Sequence, residues 1–298
     1  MKMHNKAYLL AILAVLLWST IGSAFKITLE YLNYVQILLL ASFVASLFLA
    51  LQLTFAKKWK SVRNVSLKSI GFSAIMGFLN PFAYYLILLK AYSLLRAQEA
   101  VALNYIWPMI LVLLSVPFLK QRISWLNIAC QAVSFFGTLI IATSGKPFSL
   151  DLSSPVGTGL ALSSSFFWAV YWLLNLKDTR ETDEKLFLNF SFGFLYTFIY
   201  CIATSNLVIP DLKGGLGAVY IGLFEMGVTF TIWLNALKFA KNTAVVSNLV
   251  YLSPFLSLII VSFAVGEKIM LSTITGLALI IGGIVIQQFT QTVKSKKL

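Results

Sequence analysis

Tyr105-Ile106-Trp107-Pro108 and, 146 residues later, Tyr251-Leu252-Ser253-Pro254 each sit in an apolar run long enough to cross a bilayer. Similar pairs lie on either side of them. Trp18 returns as Trp168 at an offset of 150, and Phe136-Gly137-Thr138-Leu139-Ile140 is matched in kind by Gly282-Gly283-Ile284-Val285-Ile286. A self-similarity of this length divides the chain into two units, residues 1–145 and 146–298.

The composition supports the same division. Of 298 residues 59% are hydrophobic and only 11% are charged, a balance that excludes a soluble globule. A helical crossing needs ~20 apolar residues. Runs bounded by charge clusters predict spans near 7–25, 35–55, 69–89, 97–118, 124–143, 157–175, 186–205, 217–237, 243–264 and 271–290. The first of these resembles a signal peptide with a site near Gly22-Ser23-Ala24, but its counterpart in the second half argues that it is retained. Five spans per half is an odd number, so the second half enters the membrane from the opposite side. The expected fold is therefore all-α and integral to the membrane: ten helices, as two inverted five-helix repeats around a central cavity.

The net charge of +13 has a topological origin. Of the 23 lysines and arginines, 17 fall in the two tails and in the connections around 56–68, 119–123, 176–185 and 238–242. The other six, Lys26, Lys90, Arg96, Lys146, Lys213 and Lys268, fall in the alternate connections. This asymmetry places both termini in the cytoplasm and explains the basicity without nucleic acid. The single histidine, His4, lies in the N-terminal tail, and Cys130 and Cys201 lie inside apolar runs. No metal site, no cofactor and no membrane-embedded enzyme is expected from such a set. Ser144-Gly145-Lys146-Pro147 lacks the upstream glycine of a P-loop, which argues against direct ATP-driven pumping.

Inverted repeats are the architecture of secondary transporters, with the substrate site between the repeats near mid-membrane. Candidate lining residues follow from polar and aromatic positions inside the spans. Ser164, Trp168, Tyr171 and Asn175 are spaced along one face of the sixth span. Trp18 and Trp107 are too deep for an interfacial belt, and Asn80, Tyr84, Asn104, Tyr105 and Tyr251 add hydrogen-bonding groups. Pro108 and Pro254 lie at matching places, each lacking the N–H that would bond the carbonyl four residues back, at Asn104 and Val250; a paired gate or a packing bend would both follow. Pro81 is a third case. Glu225, central in the eighth span with Thr229 one turn on, is the one acid clearly inside the membrane. It marks a substrate, ion or proton path, or else a structural hydrogen bond. Glu99 and Glu267 lie near span ends, where Lys90, Arg96 and Lys268 offer neutralisation. Gly276, Ala278, Gly282 and Gly283 suit close helix packing or a dimer, so a monomer or a homodimer is expected.

These residues resemble the drug/metabolite transporter superfamily in its ten-span form, built of two EamA-type halves. Leu17-Trp18-Ser19-Thr20, Asn104-Tyr105-Ile106-Trp107-Pro108, Phe167-Trp168-Ala169-Val170-Tyr171 and the spacing from Gly227 to Trp233 are similar to the bacterial aromatic amino acid exporter branch. The resemblance implies a basket of helices with a cavity lined by spans 1, 3, 4, 6, 8 and 9, and alternating access. It also implies export of a small-molecule metabolite across a bacterial inner membrane. By position it would place Trp18, Asn104, Tyr105, Trp107, Pro108, Trp168 and Tyr171 in the cavity. Glu225 departs from the branch, which carries a small neutral residue there. The expected function is export of amino acids, aromatic ones favoured, or of similar amphipathic metabolites. The alternatives are a lipid or glycolipid flippase and a carrier of nucleoside-like metabolites.

Overall fold

The computed structural model describes residues 3–119, 125–148, 152–175, 178–240 and 248–295. Every regular element among them is helical: this is an all-α membrane protein. Six helical stretches are long and apolar enough to cross a bilayer: Lys6–Thr28, Tyr34–Phe55, Leu67–Leu94, Pro155–Asn175, Thr182–Ala203 and Leu212–Phe239. They coincide with the first, second, third, sixth, seventh and eighth expected spans. Shorter apolar helices cover Ala132–Ala142, Leu249–Ala264 and Leu271–Ile286.

In chain order the elements are α1 (Met3–Thr28), α2 (Tyr34–Phe55), the short α3 (Trp59–Arg63), α4 (Leu67–Gly77), a π-helical turn Phe78–Ala83, and α5 (Tyr84–Leu94). There follow α6 (Ala97–Asn104), α7 (Trp107–Leu119), α8 (Trp125–Ala142), α9 (Pro155–Asn175) and α10 (Thr182–Ala203). The chain continues with α11 (Leu212–Ile221), a second π-helical turn Gly222–Gly227, α12 (Val228–Phe239), a 3-10 turn Asn248–Leu252, α13 (Ser253–Ala264) and α14 (Leu271–Ser295).

Local chemistry sets several starts. Asn33 accepts from the Val35 and Gln36 amides while Gln36 reaches back to the Asn33 amide, a capping box that opens α2. Ser66 and Asp211 accept from the Ser69 and Gly214 amides and open α4 and α11 in the same manner. α2 is apolar on both faces. On α2, Ala41, Ala45, Leu49 and Leu53 are buried, whereas Phe43, Leu47 and Leu51 are exposed. Water would not tolerate that second face; hydrocarbon does.

The prolines of the fourth and ninth spans do not interrupt continuous helices, as the sequence led one to expect. Both spans are already broken before the proline. α6 ends at Asn104 and α7 begins at Trp107, and the 3-10 turn ends at Leu252 before α13 begins at Ser253. Pro108 and Pro254 occupy the first turn of the new helix, where no intrahelical N–H is required. The Asn104 carbonyl is not left open either. It accepts the Ser165 hydroxyl of α9 at 2.9 Å.

The same close contact occurs twice. A Cβ on Gly77 would lie 2.4 Å from the Asn189 carbonyl and 2.8 Å from Phe192 Cβ; one on Gly222 would lie 2.6 Å from the Ala41 carbonyl and 2.7 Å from Val44 Cβ. The third span thus touches the seventh as the eighth touches the second. Small residues of α14 serve an intramolecular contact: a Cβ on Gly276 would lie 2.5 Å from the Gly137 carbonyl of α8, and one on Gly283 would lie 2.4 Å from Ser134 Oγ. Gly282 and Ala278 do not join it.

Candidate functional site

The site begins at the break in the third span. Asn80 has extended backbone angles (φ −151°, ψ 120°) inside the π-helical turn, beside Pro81. π-Helical turns widen the spacing of side chains and recur at functional positions. The second such turn carries Glu225, which like Asn80 stands three residues past a contact glycine. Both side chains are buried.

Glu225 Oε1 accepts the Tyr85 hydroxyl of α5 at 2.8 Å, joining the eighth span to the third. Its Oε2 is buried with no hydrogen-bond partner among the described residues. Thr229 makes no hydrogen bond to the carboxylate. Within the wider turn its hydroxyl donates to the Phe224 carbonyl, five residues back, and closes its own backbone.

Next to this pair lies an aromatic cluster. Tyr85 meets Tyr84 edge-on at 4.6 Å, Tyr84 stacks on Trp168 at 4.6 Å, and Trp168 stacks on Tyr171 at 5.9 Å. Phe230 packs edge-on against both Trp168 (5.7 Å) and Trp18 (6.3 Å), and Trp18 leans on Trp233 at 5.3 Å. Polar groups line one edge. Tyr84 donates to Asn104 Oδ1 at 3.2 Å, and Asn104 Nδ2 donates to Ser164 Oγ at 3.0 Å. Tyr105 neighbours Ser253 at the start of α13.

The expected site residues therefore divide. Trp18, Tyr84, Asn104, Ser164, Trp168 and Tyr171 form one connected cluster, and Glu225 joins it through Tyr85. Asn80 and Asn175 both face the Tyr171 hydroxyl. Trp107 packs on the apolar core, Tyr251 and Pro254 are buried beside α13, and Pro108 is placed by its backbone alone. Sequence reasoning missed Tyr85, Phe230 and Asn189. Asn189 carried a signal, as a lone amide within Leu186-Phe187-Leu188-Asn189-Phe190.

The acids at the span ends also differ from expectation. Glu267 is not neutralised by Lys268; it accepts the Ala97 and Gln98 amides at 2.8 and 3.3 Å and so caps α6. Glu99 is buried, accepts the Ser153 hydroxyl at 3.4 Å and lies in the field of Arg96 as expected, though without a close ion pair to it or to Lys90. Lys90 lies instead over the Tyr34 ring at 4.8 Å. At the opposite end of the third span, Arg180 donates to Ser69 O, Ser73 Oγ and Asp178. Burial opposes ionisation of Asp178, but the hydrogen bonds and charge of Arg180 outweigh it and hold the carboxyl below its ordinary value.

The sequence model of the EamA-like transporter family matches residues 5–143 and again residues 155–287. The chain belongs to the EamA-like transporter family. This EamA-like transporter is not an enzyme, and its family implies a small-molecule substrate and a lipid bilayer as its partners. It is 22% identical over 286 residues to an uncharacterised transporter of Archaeoglobus fulgidus (95% of this chain, 97% of the other). It is 25% identical over 285 residues to a probable terminal-alkyne amino-acid exporter of Streptantibioticus cattleyicolor (95% and 93%). It is 21% identical over 289 residues to the aromatic amino acid exporter YddG of Escherichia coli (94% and 96%). A solved crystal structure 19% identical in sequence superposes with a TM-score of 0.68, over 96% of this chain and 98% of the other, which shows a shared fold.

Proposed function

We propose that this EamA-like transporter exports amino acids, aromatic ones favoured, or similar small amphipathic metabolites across a bacterial inner membrane. In this reading residues 1–145 and 146–298 are inverted five-span repeats that rock by alternating access, with both termini in the cytoplasm. The carrying observation is the cluster Tyr84, Trp168 and Tyr171, joined to Trp18 through Phe230, whose rings stack or meet edge-on beside the Tyr84, Asn104 and Ser164 hydrogen-bond chain. Rings bind the apolar part of such a substrate, and the Asn104 edge binds its polar part. Glu225, with one oxygen unpartnered, accepts a proton or the substrate's ammonium. The exporter names carried by the relatives from S. cattleyicolor and E. coli favour the same substrate class.

Counterflow in proteoliposomes tests it: unlabelled amino acid inside, trace label outside, over an aromatic, aliphatic and cationic panel without a pH gradient. Saturable accumulation of tryptophan, phenylalanine or tyrosine is the expected result. Silence for every amino acid, with folded protein verified in the liposomes, overturns the amino-acid reading and moves nucleoside-like metabolites or lipids to the front.

A further inference from the structure

A second polar site lies beyond the ring pair Trp168 and Tyr171, where α9, α10 and the break in the third span meet. The Tyr171 hydroxyl faces the side chains of Asn80, Asn189 and Asn175. The amides are near enough to act on the hydroxyl, yet none meets it in hydrogen-bond geometry: the hydroxyl and every side-chain nitrogen and oxygen of Asn80 and Asn189 are buried without a geometrically sound partner among the described residues. Asn80, Asn189 and Tyr171 are each 0% exposed. Buried amides without partners are costly, and a cluster of three such groups is rare in a finished core.

A cation stands behind them. Lys185, on α10 one turn before Asn189, is 7% exposed and donates to Asn175 Oδ1 at 2.9 Å and to the Asp178 carbonyl at 3.2 Å. Both acceptors are neutral. The nearby carboxylates make their ion pairs elsewhere, Asp178 with Arg180 at 2.7 Å and Asp183 with Lys58 at 2.5 Å and Gln52 at 2.9 Å, although the field of Asp178 also reaches Lys185. Glu184, next to Lys185 in sequence, lies in the field of Arg180. The result is a ladder from the loop end inward, Lys185 and Asn175, then Tyr171 and Asn189, then Asn80.

We infer that this ladder is a carboxylate-binding subsite, formed by Asn80, Tyr171 and Asn189 with Lys185 behind them, and that it receives the carboxylate of the transported metabolite. The inference rests on the proposed function and narrows it to substrates bearing a carboxylate. Two amide N–H groups and a phenol O–H supply donors; the one carboxylate whose field reaches Tyr171, Asp178, is held by Arg180. Such an anion gains charge-assisted hydrogen bonds from groups that otherwise lack partners. Glu225 joins the rings through Tyr85 and the subsite joins them through Tyr171, so the two poles of opposite preference attach to one cluster at different residues.

The test is thermal unfolding of the full chain in lipid nanodiscs at constant ionic strength, with L-phenylalanine, 3-phenylpropionate, L-phenylalaninamide and acetate as probes. The two aromatic carboxylates should raise the melting temperature with half-saturation about tenfold or more below that of the amide. Asn189→Asp, which places a like charge in the subsite, should weaken both carboxylates about tenfold or more and leave the amide unchanged. Lys185→Gln should act in the same direction. Equal saturation by acid and amide in the unmodified protein overturns the subsite while leaving the amino-acid reading intact. Binding of acetate as tight as that of the aromatic acids keeps the subsite and sinks the aromatic reading. No shift with any carboxylate, or unchanged carboxylate binding in both variants, overturns the subsite.

Discussion

Tyr85 and Glu225, 140 residues apart in sequence, are joined by a 2.8 Å hydrogen bond that links the third span to the eighth. Tyr85→Phe removes the donor and leaves both carboxylate oxygens buried without a partner. A stability loss of about 0.5–2 kcal/mol is expected, read by thermal unfolding in nanodiscs. An unchanged melting temperature would show that the bond carries no stability. Glu225→Gln keeps a hydrogen-bond acceptor toward Tyr85 but removes the proton acceptor. Counterflow by this variant should lose its dependence on pH across roughly 5.5–8 or its recognition of cationic substrates; transport identical to the unmodified protein over that range would remove Glu225 from the mechanism.

Trp168 stacks on both Tyr84 and Tyr171. Trp168→Leu should raise the counterflow half-saturation for aromatic amino acids about threefold to tenfold, the worth of a ring pair beyond area burial. That for alanine should change little. Equal losses for both classes would mean that Trp168 holds the helices rather than the substrate.

A Cβ on Gly193 would lie 2.3 Å from the Pro81 ring, whereas one on Gly159 meets nothing within 4 Å. Gly193→Ala should therefore cost about 1–3 kcal/mol through overpacking, and Gly159→Ala should be neutral or slightly stabilising. Chemical unfolding of the two variants side by side distinguishes them. Equal stability would mean that the third and seventh spans separate freely.

Asp178 is held below its ordinary carboxyl value by Arg180, despite burial. A depressed native value contributes stability that is present above the unfolded-state value of about 4 and lost as pH falls through the lower native one. The melting temperature of the unmodified protein should thus fall on acidification below about pH 4. Asp178→Asn should be less stable at neutral pH and flatter in that acidic window. A variant with the same acid slope as the parent would assign that slope to another group.

Six of the spans were legible in the sequence because hydrocarbon demands long apolar runs, and the recurrence of Tyr105 to Pro108 in Tyr251 to Pro254 is what suggests two units. Trp168, Tyr84 and Asn104 were legible as rings and amides too deep to be interfacial. What escaped was anything set by register between distant helices. Glu267 reads as a partner for adjacent Lys268 until α6 presents its amides to it. Thr229 reads as a hydrogen-bonding neighbour of Glu225 until its hydroxyl is seen to close on the Phe224 carbonyl of the π-helical turn. Pro108 reads as a kink because a linear pattern shows a missing N–H and not the Ser165 hydroxyl that satisfies the freed carbonyl.

The two ends of the third span are fastened by different chemistry. At one end Lys26 holds the Tyr92 and Leu95 carbonyls; at the other Arg180 clasps Ser69 and Ser73. In a carrier of the proposed kind, unequal fastenings make the two access states unequal in free energy, so the empty protein rests mainly facing one side. Half-saturation measured from the two faces then differs, yet the ratio of maximal velocity to half-saturation stays equal in both directions when nothing drives the cycle. The fastenings set where the molecule waits, and the solute gradient alone sets which way the net flux runs.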